Sequence, residues 1–296
     1  MNKKYKQIII DTDIGDDVDD AAAIMIALQS PEIEILGITT VYQNTHRRAE
    51  MACELCKKYG KENIPVHIGY GRPLIEQIPY EEYPIQYQLL DGDYKLNCEI
   101  TAVDFLIESI KENPKIIILA LGSMTNLAMA FYKEPEVMKQ AKILAMGGIF
   151  NQNVPEWNIK CDPEAARIVT DYAENLTMFG LEVTKHCGLS NEELQILKQR
   201  ENENINYFLK GVQLFQEKTG YLVTLHDALL IAYLIDEDVV KLKKSDYTVE
   251  LTGQMTRGSI VTKENAYDFH TESEKEFYYA TEIDAGRFKK LFLERI

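Results

Sequence analysis

Residues 7–28 read Gln7-Ile8-Ile9-Ile10-Asp11-Thr12-Asp13-Ile14-Gly15-Asp16-Asp17-Val18-Asp19-Asp20-Ala21-Ala22-Ala23-Ile24-Met25-Ile26-Ala27-Leu28. A β-branched run stops at an acid, a polar turn follows, and an alanine-rich aliphatic stretch opens with two acids in its first turn. The expected order is therefore a strand at Gln7 to Asp11, a loop, and a helix from Asp19 through Leu28 that Ser30-Pro31 stops. Working outward, Ile33 to Val41 reads as a second strand. Thr45 caps a helix from His46 to Tyr59, Gly60 ends it, and Pro65 to Ile68 makes a third strand. The alternation continues through helix Thr101 to Glu112, strand Lys115 to Leu121, helix Thr125 to Tyr132, strand Ile143 to Met146, helix Pro163 to Tyr172 and strand Leu176 to Val183. Repetition of this kind implies right-handed crossovers, so the expected class is α/β, an open, mostly parallel sheet flanked by helices.

The 296 residues are 46% hydrophobic and 27% charged, ordinary for a folded chain, and no apolar run reaches the ~18 to 20 residues of a membrane-spanning helix. A net charge of −15 repels phosphate backbones and anionic membrane surfaces, which argues against nucleic acid and membrane partners. The start MNKKYKQIIIDTD lacks the apolar region and cleavage site of a signal peptide, so the expected location is the cytoplasm. Five scattered cysteines suit a reducing compartment, and the CxxC pair Cys53 and Cys56 reads as buried thiols within a helix. The last third is more helical, at Asn191 to Gln199, Asn204 to Glu217 and Asp227 to Leu234, with strands around Tyr247 to Leu251 and Ser259 to Thr262. No linker divides the chain, so residues 1–296 are expected to form a single domain. Residues 78–95, weakly periodic and rich in tyrosine, read as a mobile loop over a site.

Ligands of an open parallel sheet bind beyond the carboxyl ends of its strands. Those positions are unusually polar here. Six aspartates (11, 13, 16, 17, 19 and 20) follow the first strand, Asn44 follows the second, GSMTN follows KIIILAL, and Glu156 and Asn158 lie in the segment after Met146. Carboxylates this crowded raise one another's pKa unless a cation neutralises them, and all-oxygen ligation by a flexible acidic cluster selects Ca2+ over zinc, with Mg2+ as the other hard cation. Asp16 and Asp17 read instead as caps for the helix opening near Asp19. The spacing of an EF-hand is missing.

At this point the segment IIIDTDIGDDVDDAAAIMIAL resembles DTDPGIDDALAIL, the amino-terminal signature of the inosine-uridine preferring nucleoside hydrolases. Further similarity follows in order: GITTVYQN, PVHIGYGRPL, LALGSMTNLAMA, MGGIF, EWNIKCDPEAA, LEVT, HDAL and TRG. The loop here, IGDDVDD in place of PGIDD, is two residues longer, and Ile14 replaces the proline. The resemblance implies a Rossmann-like fold and a Ca2+-dependent hydrolase that takes a small ribonucleoside and works as a homodimer or homotetramer. It makes Asp13 a metal ligand and general base, Asp20 and Asp227 further ligands, and the Leu121 carbonyl the last of them. Asp19, Asn44, Met146, Glu156 and Asn158 then hold the ribose, with Asn153, over Asn151, as the upstream asparagine; independently of the family, His226 beside Asp227 reads either as an acid or orienting donor on the leaving-group side or as a structural histidine.

Cleaving an N-ribosidic bond passes through a cationic ribose, so it needs an activated water, anions around the sugar and help for the departing base. The family's histidine near the base pocket has no counterpart in IQYQLLDGDY, and Trp157 stands where the family has phenylalanine. Phe150 and the tyrosines from Tyr80 to Tyr94 are candidates for stacking on a base. His46, His67, His186 and His270 read as structural or exposed. Two other readings remain open: a nucleoside-binding relative whose longer acidic loop has lost activity, and a Mg2+-dependent DxD phosphatase with Asp11 as nucleophile.

Overall fold

The computed structural model describes residues 5–92, 94, 96, 99–262 and 275–296. Strand and helix alternate as the sequence periodicity requires: β1 (Lys6–Thr12), α1 (Asp19–Gln29), β2 (Ile33–Thr40), α2 (Thr45–Lys58), β3 (Val66–Ile68), α3 (Ala102–Glu112), β4 (Ile117–Ala120), α4 (Thr125–Lys133), α5 (Pro135–Met138) and β5 (Lys142–Met146). Then come α6 (Trp157–Cys161), α7 (Pro163–Tyr172), β6 (Asn175–Phe179), α8 (Leu181–Thr184), α9 (Asn191–Lys198), α10 (Glu203–Thr219) and α11 (Ala228–Ile235). The chain closes with β7 (Val240–Lys244), β8 (Tyr247–Val249), β9 (Ile260–Thr262), β10 (Glu276–Ile283) and α12 (Ala285–Arg295).

Among the described residues, eight strands make one sheet in the order β3-β2-β1-β4-β5-β6-β10-β7, parallel except for β7 against β10, and β8 pairs with β9 alone. β1 is central, with Asp11 beside Thr39 of β2 and Ala120 of β4. Strand order runs outward in opposite directions from β1 and β4, which makes the gap beyond their carboxyl ends the switch point where an open α/β sheet takes its ligand. The side-chain period of two divides the core. Ile8 and Ile10 pack with α1, α2, α11 and α12 on one face, while Ile9 packs with α3, α4 and α7 on the other. α1 is buried on all sides from Asp19 through Ala27, between the sheet and α11, so it carries no polar stripe. Burying Ile24 or Ile26 there contributes about 1.5–3 kcal/mol each.

Several local expectations change. β6 stops at Phe179 and residues 181–184 turn into α8, because Gly180 ends the strand and leads into a helical turn. Asn44, not Thr45, caps α2: its Oδ1 accepts from the Arg47 amide at 3.2 Å. Neither Asp16 nor Asp17 caps α1, whose N-cap is Val18. β7 and β10 extend the sheet and α12 follows it, in a region read from sequence without them. In residues 78–95, Ile85–Leu89 is a 3-10 turn, and Asp93 and Lys95 lie outside the described residues, as do Cys98 and His270. Cys53 and Cys56 are thiols in α2 as expected, pushed up by burial to about 11 and about 12.

Candidate active site

A cavity of about 1330 Å3 opens beyond β1, β4 and β5. Its floor is lined by Asp13, Asp16, Asp17, Asp19, Asp20, Leu121, Met146, Glu156, Asn158 and Asp227. Residues 78–88, the end of α10 with Tyr221, Trp157 and His226 make its walls. The sequence thus brings three stretches far apart in the chain to one place: the loop after β1, the strand ends of β4 and β5, and the start of α11.

The acids crowd one another. Asp17, Asp19 and Asp20 each place a carboxylate oxygen within 4.8 Å of the others. Burial pushes Asp13 well above the ordinary carboxylate range, and the charge of Asp20 adds to it. Burial and then Asp17 raise Asp19; burial and then Asp20 raise Asp227. Asp20 is pushed up to about 7 by burial and Asp17, although the Thr12 hydroxyl donates to it and opposes the shift. Asp17, read from sequence as a cap, therefore belongs to the acid cluster.

Arg48 is the counterion that sequence reasoning missed. It is 1% exposed, and its guanidinium reaches back across the loop. Nη2 donates to Asp16 Oδ2 at 2.7 Å, Nη1 to the carbonyls of Ile14 at 2.8 Å and Asp13, and Nε to the Tyr42 carbonyl at 2.8 Å. One side chain thus ties the loop after β1 to the turn after β2. That turn is strained: Tyr42 and Gln43 both adopt left-handed φ, at 65° and 57°, which non-glycine residues rarely do. Gln43 anchors it further, donating to the Pro79 carbonyl at 3.1 Å and accepting from the Glu81 amide at 2.9 Å. The signal was present in sequence, since Arg48 sits one helical turn from Ala52 and two from Leu55, on the apolar face of α2.

The strand ends are equally specific. A Cβ on Gly122 would lie 2.6 Å from Asp13 Oδ1, so only glycine leaves room for that carboxylate. Asn158 Nδ2 donates to the Leu121 carbonyl at 2.6 Å and the Met146 carbonyl at 3.2 Å, bracing both strand ends. Glu156 caps α6, accepting from the amides of Asn158 at 2.9 Å, Ile159 at 3.3 Å and Gly148 at 3.1 Å, and burial still raises its pKa.

Other expected positions fall elsewhere. Asn44 does not line the cavity; its Nδ2 donates to the Glu82 carbonyl at 2.6 Å, so both ends of its amide hold backbone. Asn153 is exposed in the loop before α6 and also lies outside the lining. Phe150 is buried, stacked on Tyr279 with centroids 4.3 Å apart, and is not available to a base. Trp157, 61% exposed at the cavity wall, fills no core, and Tyr83 also lines the wall. His67 is buried against Phe105, centroids 4.2 Å apart, as a structural histidine. His46 and His186 are exposed. Asp11, the nucleophile of the phosphatase reading, is fully buried outside the cavity, where Oδ1 accepts from Thr39 at 2.5 Å and Asn126 at 2.7 Å. That reading fails on access.

The donor set fits a hard divalent cation. It is all oxygen, and Asp227 Oδ1 is buried with no hydrogen-bond partner. An unpaired buried carboxylate oxygen costs free energy that a cation bound to it removes, and the same charge relieves the repulsion within the cluster. His226, beside Asp227, lines the cavity, and its Nδ1 lies 2.8 Å from Thr184 Oγ1.

Comparison with known proteins agrees with this geometry. The family model for the inosine-uridine preferring nucleoside hydrolases matches residues 8–290. The chain is 35% identical to uridine nucleosidase 1 of Arabidopsis thaliana over 84% of this chain and 80% of that one. It is 30% identical to the inosine-uridine preferring nucleoside hydrolase of Crithidia fasciculata, covering 98% and 97% of the two chains. A solved plant nucleoside hydrolase superposes with a TM-score of 0.86 at 26% identity, over 98% of each chain. The chain belongs to the inosine-uridine preferring nucleoside hydrolase family, glycosidases that act on the N-glycosyl bonds of ribonucleosides.

Proposed function

We propose that this chain hydrolyses ribonucleosides to free base and ribose with Ca2+ held by Asp13, Asp20, Asp227 and the Leu121 carbonyl. The observation that supports it most is the unpartnered, buried Oδ1 of Asp227 in a cavity whose floor also carries Asp13 and Asp20. Bound there, the cation supplies an oriented and more acidic water. Asp13 would accept the proton of a water that adds to C1′ as the C1′–N bond breaks with its electron pair going to the base, which takes up a proton from solvent to leave as free base. Asp19, Glu156 and Asn158 grip the ribose hydroxyls, and the two carboxylates place negative charge around a sugar that becomes cationic. His226 donates a hydrogen bond to the departing base. Met146 lies against the sugar, and neither Asn44 nor Asn153 belongs to this set.

Incubation with inosine, uridine and cytidine in the presence of Ca2+ tests the reading, with reducing sugar as the readout. Ribose release is expected from at least one of them. Tight nucleoside binding with no sugar released from any would instead favour a binding protein, an outcome that the longer loop between Asp13 and Asp19 makes worth measuring. The same reading makes the working enzyme a cytoplasmic homodimer or homotetramer of single-domain subunits serving nucleoside salvage, which sedimentation velocity checks for assembly.

A further inference from the structure

Thr184 ends α8 with its side chain fully buried, and among the described residues the one hydrogen-bond partner of its hydroxyl is His226 Nδ1, 2.8 Å away. The hydroxyl does not bond back to the carbonyl four residues earlier, the usual outlet for a helical threonine. A buried hydroxyl donates its proton wherever an acceptor is in reach, because a proton left unpaired in a dry interior is costly. Here the acceptor in reach is Nδ1. A ring nitrogen that accepts carries no proton, so the neutral imidazole bears its hydrogen on Nε2, on the ring edge away from Thr184. His226 lines the cavity and Thr184 does not. We propose that Thr184 is a positioning residue that holds His226 as the Nε2–H tautomer, so that the ring presents a donor to the leaving base. This rests on the hydrolase reading above for its purpose, but not for the tautomer itself.

Two measurements test it. In full-length protein labelled with 15N-histidine at a pH of about 8, the His226 resonances, identified by their loss in His226→Gln, are expected to show a protonated Nε2 and a bare Nδ1. A protonated Nδ1 overturns the proposal, whether or not the protein is active. In kinetics, Thr184→Val is expected to slow inosine or uridine cleavage at least about tenfold, while 4-nitrophenyl β-ribofuranoside, whose leaving group departs without a proton, changes by less than about twofold. Thr184→Ser, which keeps the donor, is expected to retain the nucleoside rate. Equal losses on both substrate types, or no loss on either, overturn the proposal. Should the wild-type chain cleave no riboside at all, the hydrolase reading falls, and the spectrum still decides the tautomer.

Discussion

The floor and the walls of the cavity are built on different principles. On the floor, Asp13, Asp20, Glu156, Asn158 and Asp227 issue from strand ends or helix starts, and braces such as Arg48 and the Asn158 amide fix the backbone around them. The walls come from residues 78–88, Trp157 and the end of α10, where Trp157 is 61% and Tyr221 72% exposed. On the proposed reading the floor takes the sugar, which is the same in every ribonucleoside and repays rigid construction, while the wall faces the base, which varies, and is where variation costs the fold least.

The contrast can be broken hardest at Asp13. Asp13→Ala is expected to lower kcat by about a thousandfold or more while circular dichroism and the melting transition stay close to wild type. Gly122→Ala pushes a methyl into that same carboxylate and is expected to cost about a hundredfold in kcat with little change in stability, which separates placement from presence. Arg48→Met leaves Asp16 and three carbonyls without their donor, and urea unfolding should register a loss of about 2–4 kcal/mol.

A pH titration sharpens the contrast further. Asp11 and Asp20 are each pushed up to about 7, chiefly by burial, so without a cation the folded chain keeps protons that the unfolded chain releases near pH ~4. Their contribution is present at low pH and is lost as pH rises through about 7. In chelator, the melting temperature should therefore fall between about pH 4 and about pH 7 and level off above, and Ca2+ should reduce the fall. Asp11→Asn should flatten part of the slope, since it removes one of the titrating groups. The wall should respond least: Trp157→Ala is expected to change KM by less than about tenfold, by different factors for inosine and uridine, with kcat on a nitrophenyl riboside nearly unchanged. A wall substitution that abolished all turnover would erase the distinction between the two regions.

Much of this was legible in the chain. The continuous apolar run Ile8, Ile9 and Ile10, buried on both faces of the sheet, and the apolar stretch from Ala21 to Ala27 set the central strand and its first helix. The acids after β1 announced the floor because like charges gather only where something compensates them. What stayed hidden was pairing at a distance. Nothing local says that Arg48 reaches Asp16, that Asn44 spends its amide on backbone, or that Phe150 stacks beneath Tyr279. β10 was missed because it joins β6 from a hundred residues away, and β7 because it is an exposed edge strand of alternating lysines.

The cavity floor draws on stretches far apart in the chain, with Asp13 just after the first strand and Asp227 at the start of α11. During synthesis a ribosome releases the early aspartates long before their late companion, so a nascent chain carries crowded acids with no finished seat for a cation. Whatever binding free energy the ion brings arrives only after α11 has emerged. With the ion held as proposed, maturation of this protein is linked to the divalent ion supply of the compartment in which α11 emerges.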